Sequence, residues 1–195
     1  GDYTEINPMV IPENVAILGD SLRTVTIRPK TRSADVFYVN NGSYVGQVTF
    51  KDHVAPSAAV SFNPDGSAGA ITTSPYVQNS TSMTTTGTGM RVDGAYVTGL
   101  RSMVVDAFTQ YNQGGIGIHM KNGGNTQLVS VFTICCETGF LCESGGFCSI
   151  TNANSSFGTF ALKSDGVGAE KYSAKTVNTV SATNIINCYI QNSCN

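Results

Sequence analysis

"GMRVDG" (Gly89–Gly94), "IHMKNG" (Ile118–Gly123), "LCESGG" (Leu141–Gly146) and "LKSDG" (Leu162–Gly166) are four versions of one phrase. Each is a short strand-like run that ends in a polar, glycine-terminated corner. Their leading residues Met90, Ile118, Leu141 and Leu162 follow one another at steps of 28, 23 and 21 residues. Between them lies a second apolar burst each time: "MVVDAFTQY", "QLVSVFTICC" and "CSITNANSSFG". A unit in the low twenties that holds two or three short strands leaves no room for a crossover helix. It matches one coil of a parallel β-solenoid, in which each strand pairs with the coils above and below. A β-sandwich also spaces its strands regularly, but the return of one strand-to-glycine corner favours the solenoid.

Working outward, "NVAILGD", "RTVTIRP", "ADVFYVNNG" and "VGQVTFKDH" continue the strand–turn alternation towards the N-terminus, and helical periodicity is nearly absent. The sequence thus predicts an all-β chain, a single β-helix domain over 1–195. Val25, Ile27, Val36, Phe37, Val39, Val48, Phe50, Val104, Val129, Val131, Ile134, Leu141, Ile150 and Leu162 are expected to supply much of its inward face. Adjacent pairs such as Val36 and Phe37 can both point inward only where a corner intervenes. Asn and Thr in "TNANSS" and "NIINCYIQN" suit side-chain ladders between stacked coils. Two stretches break the rhythm. Val54–Pro75 is rich in small residues, Pro and Gly and reads as a loop beside the coil. Lys163–Ala182 is the most charged part of the second half and reads as another loop-out, before a final coil "TNIINCYIQNSCN". Neither end carries an obvious cap, so the chain is expected to be the middle of a longer protein.

Composition narrows the function classes. Of the 195 residues, 41% are hydrophobic but only 12% charged, so the polar surface must be built from Ser, Thr, Asn and Gly. Eleven basic and 13 acidic residues leave a net charge of −2, which gives no electrostatic case for binding nucleic acid or an anionic membrane. No apolar run is long enough for a membrane-spanning helix, so no membrane insertion is expected. The six cysteines, at 135, 136, 142, 148, 188 and 194, lack the spacing of a zinc knuckle. They read as buried thiols rather than metal ligands, and no metal or cofactor is expected.

For catalysis, glycoside hydrolysis needs two carboxylates in different environments. Asp93 and Asp165 stand in turns, where Asp bonds its own backbone. Asp106 and Glu137, on or beside strands, are less easily explained and form the weak hydrolytic alternative. A lyase would need clustered acids for calcium, and none is clustered. His53 and His119 have no Ser or Cys motif around them, and "NGS", "NST" and "NSS" match the glycosylation pattern without context for it.

The run "GDYTEINPMVIPENVAILGDSLRTVTIRP" is similar to a segment of structural proteins from tailed phages that infect marine cyanobacteria. The resemblance continues through Arg101–Met103 ("RSM"), Phe108–Gln110 ("FTQ"), Gly114–Gly117 ("GGIG"), Thr126–Ser130 ("TQLVS") and Ser155–Gly158 ("SSFG"). It covers most of the chain apart from Val54–Pro75 and carries no catalytic signature. It implies a virion structural protein, a tail-fibre or baseplate-attached appendage with a pectate-lyase-like, right-handed β-helix, assembled in the host cytoplasm. Such a protein would be a homotrimer, touch other tail or baseplate proteins, and support attachment to a host-surface glycan without being an enzyme. The alternatives are a tailspike-like depolymerase acting on host surface polysaccharide and a secreted, disulfide-bonded adhesin.

Overall fold

The computed structural model describes residues 1–21, 23–94 and 99–166, and the backbone of 183–185 and 188–191. The chain winds through three repeating sides, A, B and C. In chain order the strands are β1 (Asp2–Glu5), β2 (Met9–Val10), β3 (Ala16–Leu18), β4 (Thr26–Pro29), β5 (Phe37–Val39), β6 (Tyr44–Gly46) and β7 (Thr49–Lys51). There follow β8 (Ala58–Phe62), β9 (Tyr76–Met83), β10 (Thr88–Asp93), β11 (Ser102–Tyr111), β12 (Ile116–Lys121), β13 (Asn125–Val129) and β14 (Phe132–Ile134). The last are β15 (Thr138–Glu143), β16 (Phe147–Thr151), β17 (Ala153–Ser156), β18 (Phe160–Asp165), β19 (Thr183–Ile185) and β20 (Cys188–Gln191). Among the described residues the only helical element is a single 3-10 turn, Ile71–Thr73.

Every pairing among β1–β18 is parallel, and each joins a strand to its equivalent one coil on. Face B stacks β2, β5, β8, β10, β12, β15 and β18. Face C stacks β3, β6, the first half of β9, the first half of β11, β13 and β16, while face A takes β1, β4, β7, the second halves of β9 and β11, β14 and β17. This is a parallel β-helix.

The core is a set of columns along its axis. On face B, Met9, Phe37, Val60, Met90, Ile118, Phe140 and Leu162 stand in register. On face C the column is Ile17, Val45, Val77, Val105, Leu128 and Ile150. On face A it starts apolar, Ile27 and Phe50, then turns polar with Ser82, Gln110, Thr133 and Ser155. These polar side chains are buried, and glycines of face B leave room for them. A Cβ on Gly89 would stand 2.5 Å from Gln110 Oε1, and one on Gly117 2.5 Å from Thr133 Cγ2.

Corners are made by residues in the left-handed conformation. Between C and A a column of Gln47, Asn79, Ala107, Ser130 and Asn152, at φ of 46° to 57°, bends the chain in one residue. That is how β9 and β11 cross a corner without ending. Asn122 and Ser144 perform the same turn between B and C. Polar ladders follow the corners: Asn63 Nδ2 donates to Asn40 Oδ1 at 3.1 Å and Asn122 Nδ2 to Asp93 Oδ1 at 2.8 Å.

Several expectations need correction. The third repeat begins at Phe140, not Leu141, because Ile118 pairs with Phe140 while Leu141 pairs with His119. The steps are therefore 28, 22 and 22 residues. Of the expected inward residues, Val25 is half-buried but packs against the core, whereas Val104 and Ile134 are half-buried outside it and Val129 is 39% exposed; Met103, Val105 and Leu128 are the buried neighbours. A slip of one residue in a strand reverses every side chain. Val36 and Phe37 are both buried because Val36 precedes β5 at a corner. The Val54–Pro75 stretch is not simply a loop: Ala58–Phe62 within it is a fully buried strand of face B, whose small residues fit between β5 and β10. Of the second loop-out, Lys163–Asp165 belongs to β18, and 167–182 lie outside the described residues. The expected final coil does not add a parallel layer; β19 and β20 run antiparallel along β17 and β16.

Candidate functional site

On β6, β9 and β11 face C presents its even-numbered positions outward, because Val45, Val77 and Val105 between them are wholly buried. Three successive coils bring Tyr44, Tyr76, Gln78 and Asp106 together there. The register sets Tyr44 on Tyr76, and Gln78 on Asp106. The two phenol rings stack along the axis with centroids 5.9 Å apart and planes 12° from parallel. Tyr44 Oη donates to Gln78 Oε1 at 2.7 Å, and Gln78 Nε2 donates to Asp106 Oδ2 at 2.8 Å. Tyr76 Oη closes the network on the same carboxylate oxygen at 3.3 Å. The Tyr76 phenol is pushed up from its ordinary value, first by burial and then by the Asp106 charge, so it stays a donor.

All four side chains are half-buried. Their mutual bonds hold the four groups together, while each stays partly exposed. An aromatic stack beside a fixed carboxamide and carboxylate offers apolar faces and hydrogen-bonding edges together, a combination that suits a polyhydroxylated surface.

Asp106 is thus a member of this network, but Glu137 is not. Glu137 is exposed at the A–B corner just before β15, where its Oε2 accepts from Thr159 Oγ1 at 2.9 Å. The two carboxylates lie on different sides of the coil and share no partner, so they do not converge on one bond as paired catalytic acids must. Tyr44, Tyr76 and Gln78 escaped the sequence reading. Their signal was a recurring outward residue beside an inward Val, in "YVG" and "YVQ", hidden by the 32-residue step from Val45 to Val77.

Elsewhere charges are mostly spent on one another. On the outer side of face B, Arg91 pairs with Asp35, Lys121 Nζ lies 3.2 Å from Asp93, and His119 Nε2 lies 2.5 Å from Glu143 Oε2. Burial lowers the His119 pKa, against the opposing pull of Glu143. His53 is fully buried, with Nε2 donating to the Thr88 carbonyl at 3.0 Å, and burial pushes its pKa down to about 4. Among the described residues no three His, Cys, Asp or Glu side chains converge to hold a metal ion, and no helix is long and apolar enough to cross a membrane.

Comparisons with protein-family models, with curated proteins and with solved structures find no match to this chain.

Proposed function

We propose that this chain is a rigid β-helical segment of a virion appendage, of tail-fibre or baseplate-attached type, that works by binding and shape. The phage assignment, the appendage role and a homotrimeric assembly rest on the sequence motifs from Arg101–Met103 to Ser155–Gly158. A stack of coils is stiff along its axis, which suits an arm that holds a binding face at a distance. The observation that carries the binding role is the Tyr44–Gln78–Asp106–Tyr76 network on face C. Its partner class is a neutral or weakly charged host-surface glycan, since ring faces and bonded amide and carboxylate edges recognise sugars and the local net charge is small.

The reading is tested by adsorption. Purified protein is incubated with cyanobacterial envelope, and the bound fraction is compared for the parent, Tyr76→Ala, Asp106→Asn and a control on face B, away from the network, Lys163→Ala. The expected result is at least about tenfold weaker adsorption for the first two variants and none lost for the control, as expected for removal of central contacts. Equal adsorption by all four would overturn the assignment of the face. Release of soluble sugar by the parent, abolished in Asp106→Asn, would replace binding by catalysis.

A further inference from the structure

Six cysteines allow fifteen disulfide connectivities, and among the described residues the fold brings Cys142 and Cys148 together. Cys142 ends the inward row of β15 and Cys148 opens that of β16; both are wholly buried. Their sulfurs lie 3.6 Å apart across the B–C corner, close enough for an S–H···S contact. The corner between them is fixed independently: Gly146 N donates to Glu143 O at 2.8 Å, Ser144 sits at φ 47° and Gly145 at φ 80°. Phe147 N is also held by Gly124 O of the preceding coil at 2.9 Å. Both strands are thus anchored on both sides of the corner, and the thiols are held together by backbone they do not control.

We propose that Cys142 and Cys148 are a disulfide-forming pair, an internal staple that joins face B to face C when the chain folds in the presence of a disulfide oxidant. The step balances with oxidised glutathione. One cysteine thiolate attacks a glutathione sulfur and releases one glutathione thiolate; the second cysteine thiolate attacks the mixed disulfide and releases the other. Two electrons pass to glutathione, and the two thiol protons end on the two released glutathione thiolates. Because both sulfurs are enclosed in the finished coil, the exchange occurs before the coil closes, and the closed core then shields the bond from reductant. The Cys135–Cys136 pair is placed differently: the two are sequence neighbours, Cys135 is only half-buried, and burial pushes the Cys136 thiol up to about 12, which disfavours its thiolate.

The full chain is refolded in glutathione buffers of graded ratio, alkylated under denaturing conditions and mapped by mass spectrometry. A Cys142–Cys148 cross-link, about 2 Da lighter than the dithiol, is expected to dominate and to survive about a tenfold excess of reduced over oxidised glutathione. In Cys148→Ala the cross-link is expected to vanish, with Cys142 alkylated in full. The proposal is overturned if Cys142 and Cys148 of the parent remain alkylatable at every ratio, or if either is found chiefly joined to another cysteine. The parent alone decides the matter should the variant fail to fold.

Discussion

Leu128 and Val129 are sequence neighbours on β13 that face opposite ways, and they provide the sharpest test of the register. Leu128 is 1% exposed and sits in the face C column with Val105 on one side and Ile150 on the other, each wholly buried. Truncation to Ala leaves a cavity whose walls are strands hydrogen-bonded to the coils on both sides, so the site cannot collapse to refill it. That places Leu128→Ala towards the upper part of the usual range, about 3–5 kcal/mol. Val129 is 39% exposed and pairs with Asp106 on the outer surface. Val129→Ala is expected to stay within about 0.5 kcal/mol. In a chain of this length 1 kcal/mol moves the melting temperature by about 2–4 °C, so the two variants separate by about 5–18 °C in circular dichroism melts. Melting temperatures that agree within about 2 °C, or a larger loss for Val129→Ala, would refute the register of face C.

Three further expectations concern the core and its charges. His53 is buried and neutral, with a folded pKa near 4 against an ordinary 6.5, so the unfolded chain takes up its proton first as pH falls. Its contribution is complete above about pH 6.5 and is lost between there and pH 4, by about 3 kcal/mol; denaturant midpoints should show this slope in the parent and a shallower one in His53→Gln. A Cβ at Gly117 would stand 2.2 Å from the Gly139 carbonyl oxygen, so Gly117→Ala is expected to cost about 2–3 kcal/mol or more, measured as a lower urea midpoint. Arg91→Met strands the buried Asp35 carboxylate, which among the described residues keeps only the Ala58 N–H as partner, and is expected to cost about 3 kcal/mol; Asp35→Asn combined with it should recover part of the loss, and no recovery would count against the pair.

The repeated glycine-ended phrases made the parallel coil legible because the first three lead from face B to face C, where a backbone turn demands particular residues. The A–C corner was less readable. Asn79, Ser130 and Asn152 tolerate the left-handed conformation, but Gln47 and Ala107 occupy the same place and announce nothing. Without that corner, "SMVVDAFTQY" reads as one strand, and whether Val104 or Val105 faces inward is open. The same ambiguity shifted Val129 for Leu128. Ala58–Phe62 was hidden by its small side chains, which resemble a loop in composition yet are what a crowded interior requires. The site was half visible: Asp106 stood out as a carboxylate on a strand, whereas its companions became neighbours only through the stacking of coils 28 and 32 residues apart.

The last steps of the face B column, Ile118 to Phe140 to Leu162, are both 22 residues. Two equal turns in succession make the 22-residue coil an interchangeable unit of length. Each adds about 4.8 Å along the axis, the spacing of neighbouring strands. A duplicated Ile118–Gly139 segment would keep every inward residue over its like and lengthen the rod by one rung, while one residue more or fewer would turn the core inside out. Reach in this molecule is therefore counted in whole coils, and it can change without disturbing the Tyr44–Gln78–Asp106–Tyr76 network of the earlier coils.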